Sequence, residues 1–233
     1  MIEDLKRELD DLFAEWEERH KFRSEEGFIR DGIFDGEKWF SSQRKILFVL
    51  KEAYNEKEHK IKNVCEYVRD VKKGPFKKTW WTVTNWAYAA QHTSENTSPD
   101  FPSKEKRREG LLSSAGVNIK KSDGRGTSDL KDIAGYAERD GDLIRREIKL
   151  LDPDIVICGN TWDVIKNNVW NHEDIKPLFE RIFLIGRAHY LDLWHPANTR
   201  VGKLKNYWEL VKLLRDGIAG RLPQPECQPV PAC

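Results

Sequence analysis

Apolar positions recur along this chain with two different periods. Ile2, Leu5, Leu9, Phe13 and Trp16 are spaced by three and four residues, which places them on one stripe of a helix spanning residues 2–20. The same spacing predicts a second helix over 140–151, where Ile144, Ile148 and Leu151 share a face beside Leu143. A third helix should follow Asn198 or Thr199, both good caps, with Leu204, Trp208, Val211, Leu214 and Ile218 on its inner side. Between the helical stretches lie continuous apolar runs of strand length: KILFVL (45–50), SAGVNI (114–119), DIVICG (154–159), RIFLIG (181–186) and HYLDLW (189–194). Strands apolar on both faces suit a parallel sheet covered by helices. The alternation therefore predicts an α/β protein, a three-layer α/β/α sandwich around a central, mainly parallel sheet of four to five strands. One domain is expected over residues 1–220, followed by a Pro-rich, disordered tail at 221–233.

Composition narrows the chemistry. With 40 Lys+Arg against 39 Asp+Glu, the net charge is +1, so any site for a polyanion must be a local patch. No apolar segment approaches the ~20 residues of a membrane span, and MIEDLKRELD has neither the basic start nor the apolar middle of a signal peptide. A cytoplasmic monomer with no membrane partner is expected. Cys65, Cys158, Cys227 and Cys233 are too scattered for paired metal ligands. Cys158 reads as a small buried residue, and neither metal, disulfide nor other cofactor is expected.

Four of the apolar runs end in polar groups. KILFVL leads into Lys51, Glu52, Tyr54 and Asn55; SAGVNI holds Asn118 and leads into Lys120 and Lys121. DIVICG leads into Asn160 and Thr161, and HYLDLW into His195, Pro196 and Asn198. Taken singly, each has an ordinary reading as a solvated loop residue, a helix cap or a turn. In an open parallel sheet, however, the carboxyl ends of the strands meet at one rim, where ligands bind.

With these motifs in that order, the chain resembles the uracil-DNA glycosylase superfamily over roughly residues 43–215. KEAYN resembles the superfamily's first motif, with Glu52 and Ala53 matching its GEAPG form; NIKK (118–121) resembles the Asn-containing middle strand. DPDIVICGNTWDVI resembles the strand and glycine turn before a helix, and WHPANTR (194–200) resembles the final His-Pro motif. The first motif departs from the family: its proline is absent, and its glycine is replaced by Lys51 or Leu50. An alternative register, to the GQDPYH form, sets Glu52 on the catalytic acid and Tyr54 on the aromatic that crowds the pyrimidine ring. No cysteine pattern for an iron–sulfur cluster is present.

The resemblance implies a monofunctional, metal-independent DNA glycosylase with Glu52, Asn118 and His195 as catalytic residues. Glu52 would orient or deprotonate water and stabilise the sugar cation, His195 would stabilise the departing base, and Asn118 would read the base edge. Tyr54 and Asn55 are expected against the base. Lys51, Lys120, Lys121, Arg125, Asn160, Asn198, Thr199 and Arg200 are expected at the DNA. The segment KKGPFKKTWWTVTNW (72–86) is a candidate strand-binding groove, with core packing as its alternative. The unusual first motif argues for a damaged or modified base other than uracil, in DNA repair or in defence against viruses with modified DNA. Rival readings are a catalytically inactive nucleic-acid-binding module on the same fold, or a hydrolase of free nucleotides.

Overall fold

The computed structural model describes residues 2–20, 27–54, 61–70, 78–124, 127–198, 202–218 and 221. In chain order these form α1 (Ile2–His20), β1 (Gly32–Ile33), α2 (Gly36–Ser41), β2 (Ile46–Tyr54), α3 (Val64–Asp70), α4 (Lys78–His92), α5 (Lys104–Leu112) and β3 (Ser114–Gly124). There follow α6 (Leu130–Leu151), β4 (Ile155–Gly159), α7 (Trp162–Asn168), β5 (Lys176–Phe179), β6 (Ile182–Ile185), β7 (Ala188–Leu193) and α8 (Lys203–Gly217). The protein is mixed α/β. Among the described residues seven strands make one sheet in the order β1-β3-β2-β4-β7-β6-β5.

The central four strands, β3, β2, β4 and β7, are parallel. Side chains along β2 alternate as a pleated strand requires. Ile46 and Phe48 enter an apolar cluster with Val83 and Trp86 of α4 and Tyr207 and Leu210 of α8. Leu47 and Val49 enter another, with Trp16 of α1 and Ile144 and Ile148 of α6. All four β2 side chains are fully buried, and each such burial stabilises the fold by ~1.5–3 kcal/mol.

The sheet is larger than the four to five strands expected, and it is antiparallel at its edges. RIFLIG, expected as a parallel strand, is β6, which runs antiparallel to β7 and to β5. Only Gly186 and Arg187 separate β6 from β7. That suffices for a hairpin, whereas a parallel pair needs a crossover of about a dozen residues. Gly186 has φ 60°, which costs glycine little.

Helix α1 matches the predicted span, and Leu12 joins Leu9, Phe13 and Trp16 in its buried face, while Ile2 is exposed. The helix predicted at 140–151 begins ten residues earlier, at Leu130, where Asp129 accepts a hydrogen bond from the Lys131 N–H. The inner face predicted for α8 is corrected at its start. Leu204 and Trp208 are 57% and 43% exposed, and Tyr207, Leu210, Val211, Leu214 and Ile218 are buried instead. The capping position belongs to Gly202 rather than to Asn198 or Thr199. No helix among the described residues is long and apolar enough to cross a membrane. The Pro-rich tail beyond Arg221 lies outside the described residues.

One topological feature positions the site. The chain leaves β2 for α3 and α4, which pack in the first apolar cluster, but leaves β4 for α7, which packs in the second. The connections diverge to opposite faces, and such a switch opens a crevice at the carboxyl ends of the strands.

Candidate functional site

That crevice holds a cavity of ≈240 Å³, lined among others by Lys51, Glu52, Asn118 and His195. Strands β2 and β3 and the turn after β7 thus bring together the acid, the amide and the imidazole singled out in the sequence. Tyr67 of α3 and Trp80 of α4 also line it, their ring centroids 6.4 Å apart.

Glu52 stands where the β2–β3 ladder is irregular. Glu52 pairs with Lys120 but Ala53 pairs with Asp123, so Lys121 and Ser122 are extra residues on β3. Bulges of this kind re-aim side chains. The Glu52 side chain is only 5% exposed, and its Oε2 lies 3.5 Å from Nζ of Lys120. Its Oε1 is buried and has no hydrogen-bond partner among the described residues. Gly124 makes room for this carboxyl: a Cβ there would lie 2.5 Å from both Cγ and Cδ of Glu52.

His195 follows β7 in a turn closed by the Asn198 N–H, which donates to the His195 carbonyl at 2.8 Å. Its Nδ1 accepts the Ala197 N–H at 3.2 Å, so the neutral ring carries its proton on Nε2. Burial, reinforced by the nearby Lys51 charge, pulls its pKa down to about 4. The ring is therefore a neutral donor at neutral pH. Pro196 seats the turn on β4, where a Cβ at Gly159 would come within 3.0 Å of its ring.

Asn118 is buried, and its backbone N–H donates to Oδ2 of Asp31 at 2.7 Å. The other Asp31 oxygen accepts from the Lys121 ammonium, which also donates to Glu147 at 2.7 Å. Burial, opposed in part by the Lys121 charge, holds the Glu147 carboxyl well above its usual range.

The remaining predicted residues scatter. Lys121, expected at the DNA, is corrected: its side chain is fully sealed between Asp31, Glu147 and the rings of Phe13 and Trp16. Lys120 turns inward, 3.2 Å from Asp132 as well as beside Glu52. Burial opposes its charge, but the hydrogen bond and charge of Asp132 outweigh that and raise its pKa. Asn160 takes a left-handed backbone (φ 60°) and lines a separate cavity of ≈280 Å³ with Trp162, Asp163 and Asp192. Asn198 closes the His195 turn. Trp86 is core, whereas Trp80 reaches the cavity. Asn55, Arg125, Thr199 and Arg200, the stretch 71–77 and the Tyr54 side chain lie outside the described residues.

Sequence reasoning missed Asp31, Gly124 and Tyr67. Asp31-Gly32 reads as a turn, and no periodicity ties it to β3. No protein-family model matches this chain, and no curated protein matches it.

Proposed function

We propose that this protein is a DNA glycosylase, hydrolysing the N-glycosidic bond of a damaged or modified base extruded into the cavity between β2, β3 and the His195 turn. The observation that carries this reading is the convergence of Glu52, Asn118 and a neutral His195 on one cavity. Glycosidic cleavage builds positive charge on the sugar and negative charge on the leaving base, and these groups suit both. The unpartnered Oε1 of Glu52 is an acceptor for the attacking water. The Nε2–H of His195 offers the departing base a hydrogen bond without donating a full proton. The Asn118 amide supplies donors and an acceptor for a base edge.

The dimensions support a single heterocycle rather than a whole nucleotide. At ≈240 Å³ the cavity is smaller than the ~300–1,000 Å³ of drug-sized sites. Tyr67 and Trp80 give it aromatic walls, as a flipped base requires. The superfamily likeness of KEAYN, NIKK and WHPANTR points to the same chemistry.

The test is base release, read as alkali-labile sites, from DNAs carrying uracil, hypoxanthine, alkylated bases or hypermodified pyrimidines. Release from at least one substrate is expected, and its loss in Glu52→Gln with DNA binding retained. Binding without release from any of them would replace the glycosylase with a binding module.

A further inference from the structure

Three lysines stand near the carboxyl ends of β2 and β3, and their surroundings separate them. Lys121 is sealed in the core between two carboxylates. Lys120 is held by Asp132 and Glu52, which keep it charged. Lys51 differs from both. It lines the cavity, is half-buried, and its side chain makes no ion pair or hydrogen bond among the described residues. Burial lowers its pKa, with the Glu52 charge only partly opposing. A lysine amine in a partly desolvated pocket, freed of a fixed counter-ion, is the form that attacks carbonyl carbon. The same cavity is lined by Glu52, whose Oε1 is unpartnered among the described residues, and by the neutral His195 ring.

We propose that Lys51 is a nucleophile that forms an imine with the aldehyde of an abasic deoxyribose seated in this cavity, and that the protein thereby also cleaves the DNA strand beside a lost base. This rests on reading the cavity as a site for DNA lesions. The ring-opened sugar presents an aldehyde at C1′. The Lys51 nitrogen lone pair attacks that carbon, the carbonyl oxygen takes up protons, and water leaves as the C=N bond forms. The resulting iminium acidifies C2′, whose proton passes to the Glu52 carboxylate. The electron pair left behind forms the C2′=C3′ bond and expels the 3′ phosphate as the C3′–O bond breaks. Water then hydrolyses the imine and restores the amine. No oxidant or reductant is consumed.

The experiment uses the full-length chain and an oligonucleotide carrying one preformed abasic site, so it does not depend on base release. Sodium borohydride reduces the imine to a stable secondary amine, and intact mass spectrometry reads the protein plus one oligonucleotide. The expected result is a trapped adduct whose peptide map places the link on Lys51, its loss in Lys51→Arg, and its retention in Lys212→Arg on the remote helix α8. An adduct mapped to another amine, equal trapping by Lys51→Arg, or no adduct at saturating wild-type protein would each overturn the proposal. Base release without trapping would remove the lyase step and leave the glycosylase reading standing. Trapping without base release would do the reverse. Peptide mapping on the wild type keeps the assignment decidable even where Lys51→Arg folds poorly.

Discussion

The backbone N–H of Asn118 is held at 2.7 Å by the Asp31 carboxylate, which reaches it across 87 residues of sequence. The same carboxylate neutralises Lys121, so one side chain anchors the amide strand and balances a buried cation. Asp31→Ala should therefore cost ~3–5 kcal/mol of stability, the usual penalty for leaving a buried charge short of its partner. Urea unfolding measures it. A loss below about 1 kcal/mol would show that Glu147 alone satisfies Lys121.

Gly124 is expected to act through Glu52. A methyl group at Gly124 would meet Cγ and Cδ of Glu52 at 2.5 Å and the Ala53 carbonyl at 2.9 Å. Displacing a catalytic group by about an ångström costs ~10²-fold in rate. Gly124→Ala should lower base release by about that factor while its circular dichroism stays native. An unchanged rate would mean that the carboxyl position is not critical.

His195 gives a pH dependence of defined sign. Its folded pKa of about 4 lies below its ordinary value of 6.5. Between these values the unfolded chain binds a proton that the folded chain does not, so stability falls as pH drops from 6.5 towards 4. His92 and His189, also lowered by burial, contribute in the same direction. His195→Gln should flatten part of the fall in melting temperature over this window. Equal slopes for the two proteins would contradict a neutral, buried His195. The wild-type rate should likewise show no His195 inflection near pH 6.5.

Trp80 tests the aromatic wall. Stacking of a base on an aromatic side chain contributes ~1–3 kcal/mol by alanine substitution. Trp80→Ala should weaken binding of a lesion-containing duplex by that amount, measured by fluorescence anisotropy. Affinity for undamaged duplex should be unchanged, since no base is flipped there. An equal loss on both DNAs would move Trp80 from the pocket to a general DNA surface.

The parallel centre of the sheet was legible because a strand buried on both faces has no choice but to be apolar throughout, as Ile46–Val49 and Ile155–Cys158 are. The edges were not. β1 is two residues long, and β5 is largely exposed, so neither carries a periodic signal. Glu52, Asn118 and His195 were readable as a group because parallel strands carry their carboxyl ends to one rim. Asn160 occupies an equivalent strand end, yet its left-handed backbone carries it to another cavity. Lys120 and Lys121 look interchangeable in NIKK, and the local ladder sets which one reaches Glu52 and Asp132 and which one is enclosed by Asp31 and Glu147. Leu204 and Trp208 fit the spacing of α8, but spacing fixes a stripe without fixing which way its first turn looks.

The two supernumerary residues of β3 have a further consequence. Strand side chains swap sides at every step, so removing Lys120 alone would bring Lys121 to the position that pairs with Glu52. The ammonium now clamped in the interior would be presented to Glu52, and Asp31 and Glu147 would lose their shared cation. The length of that stretch should tolerate change far less than the identities of the side chains around it.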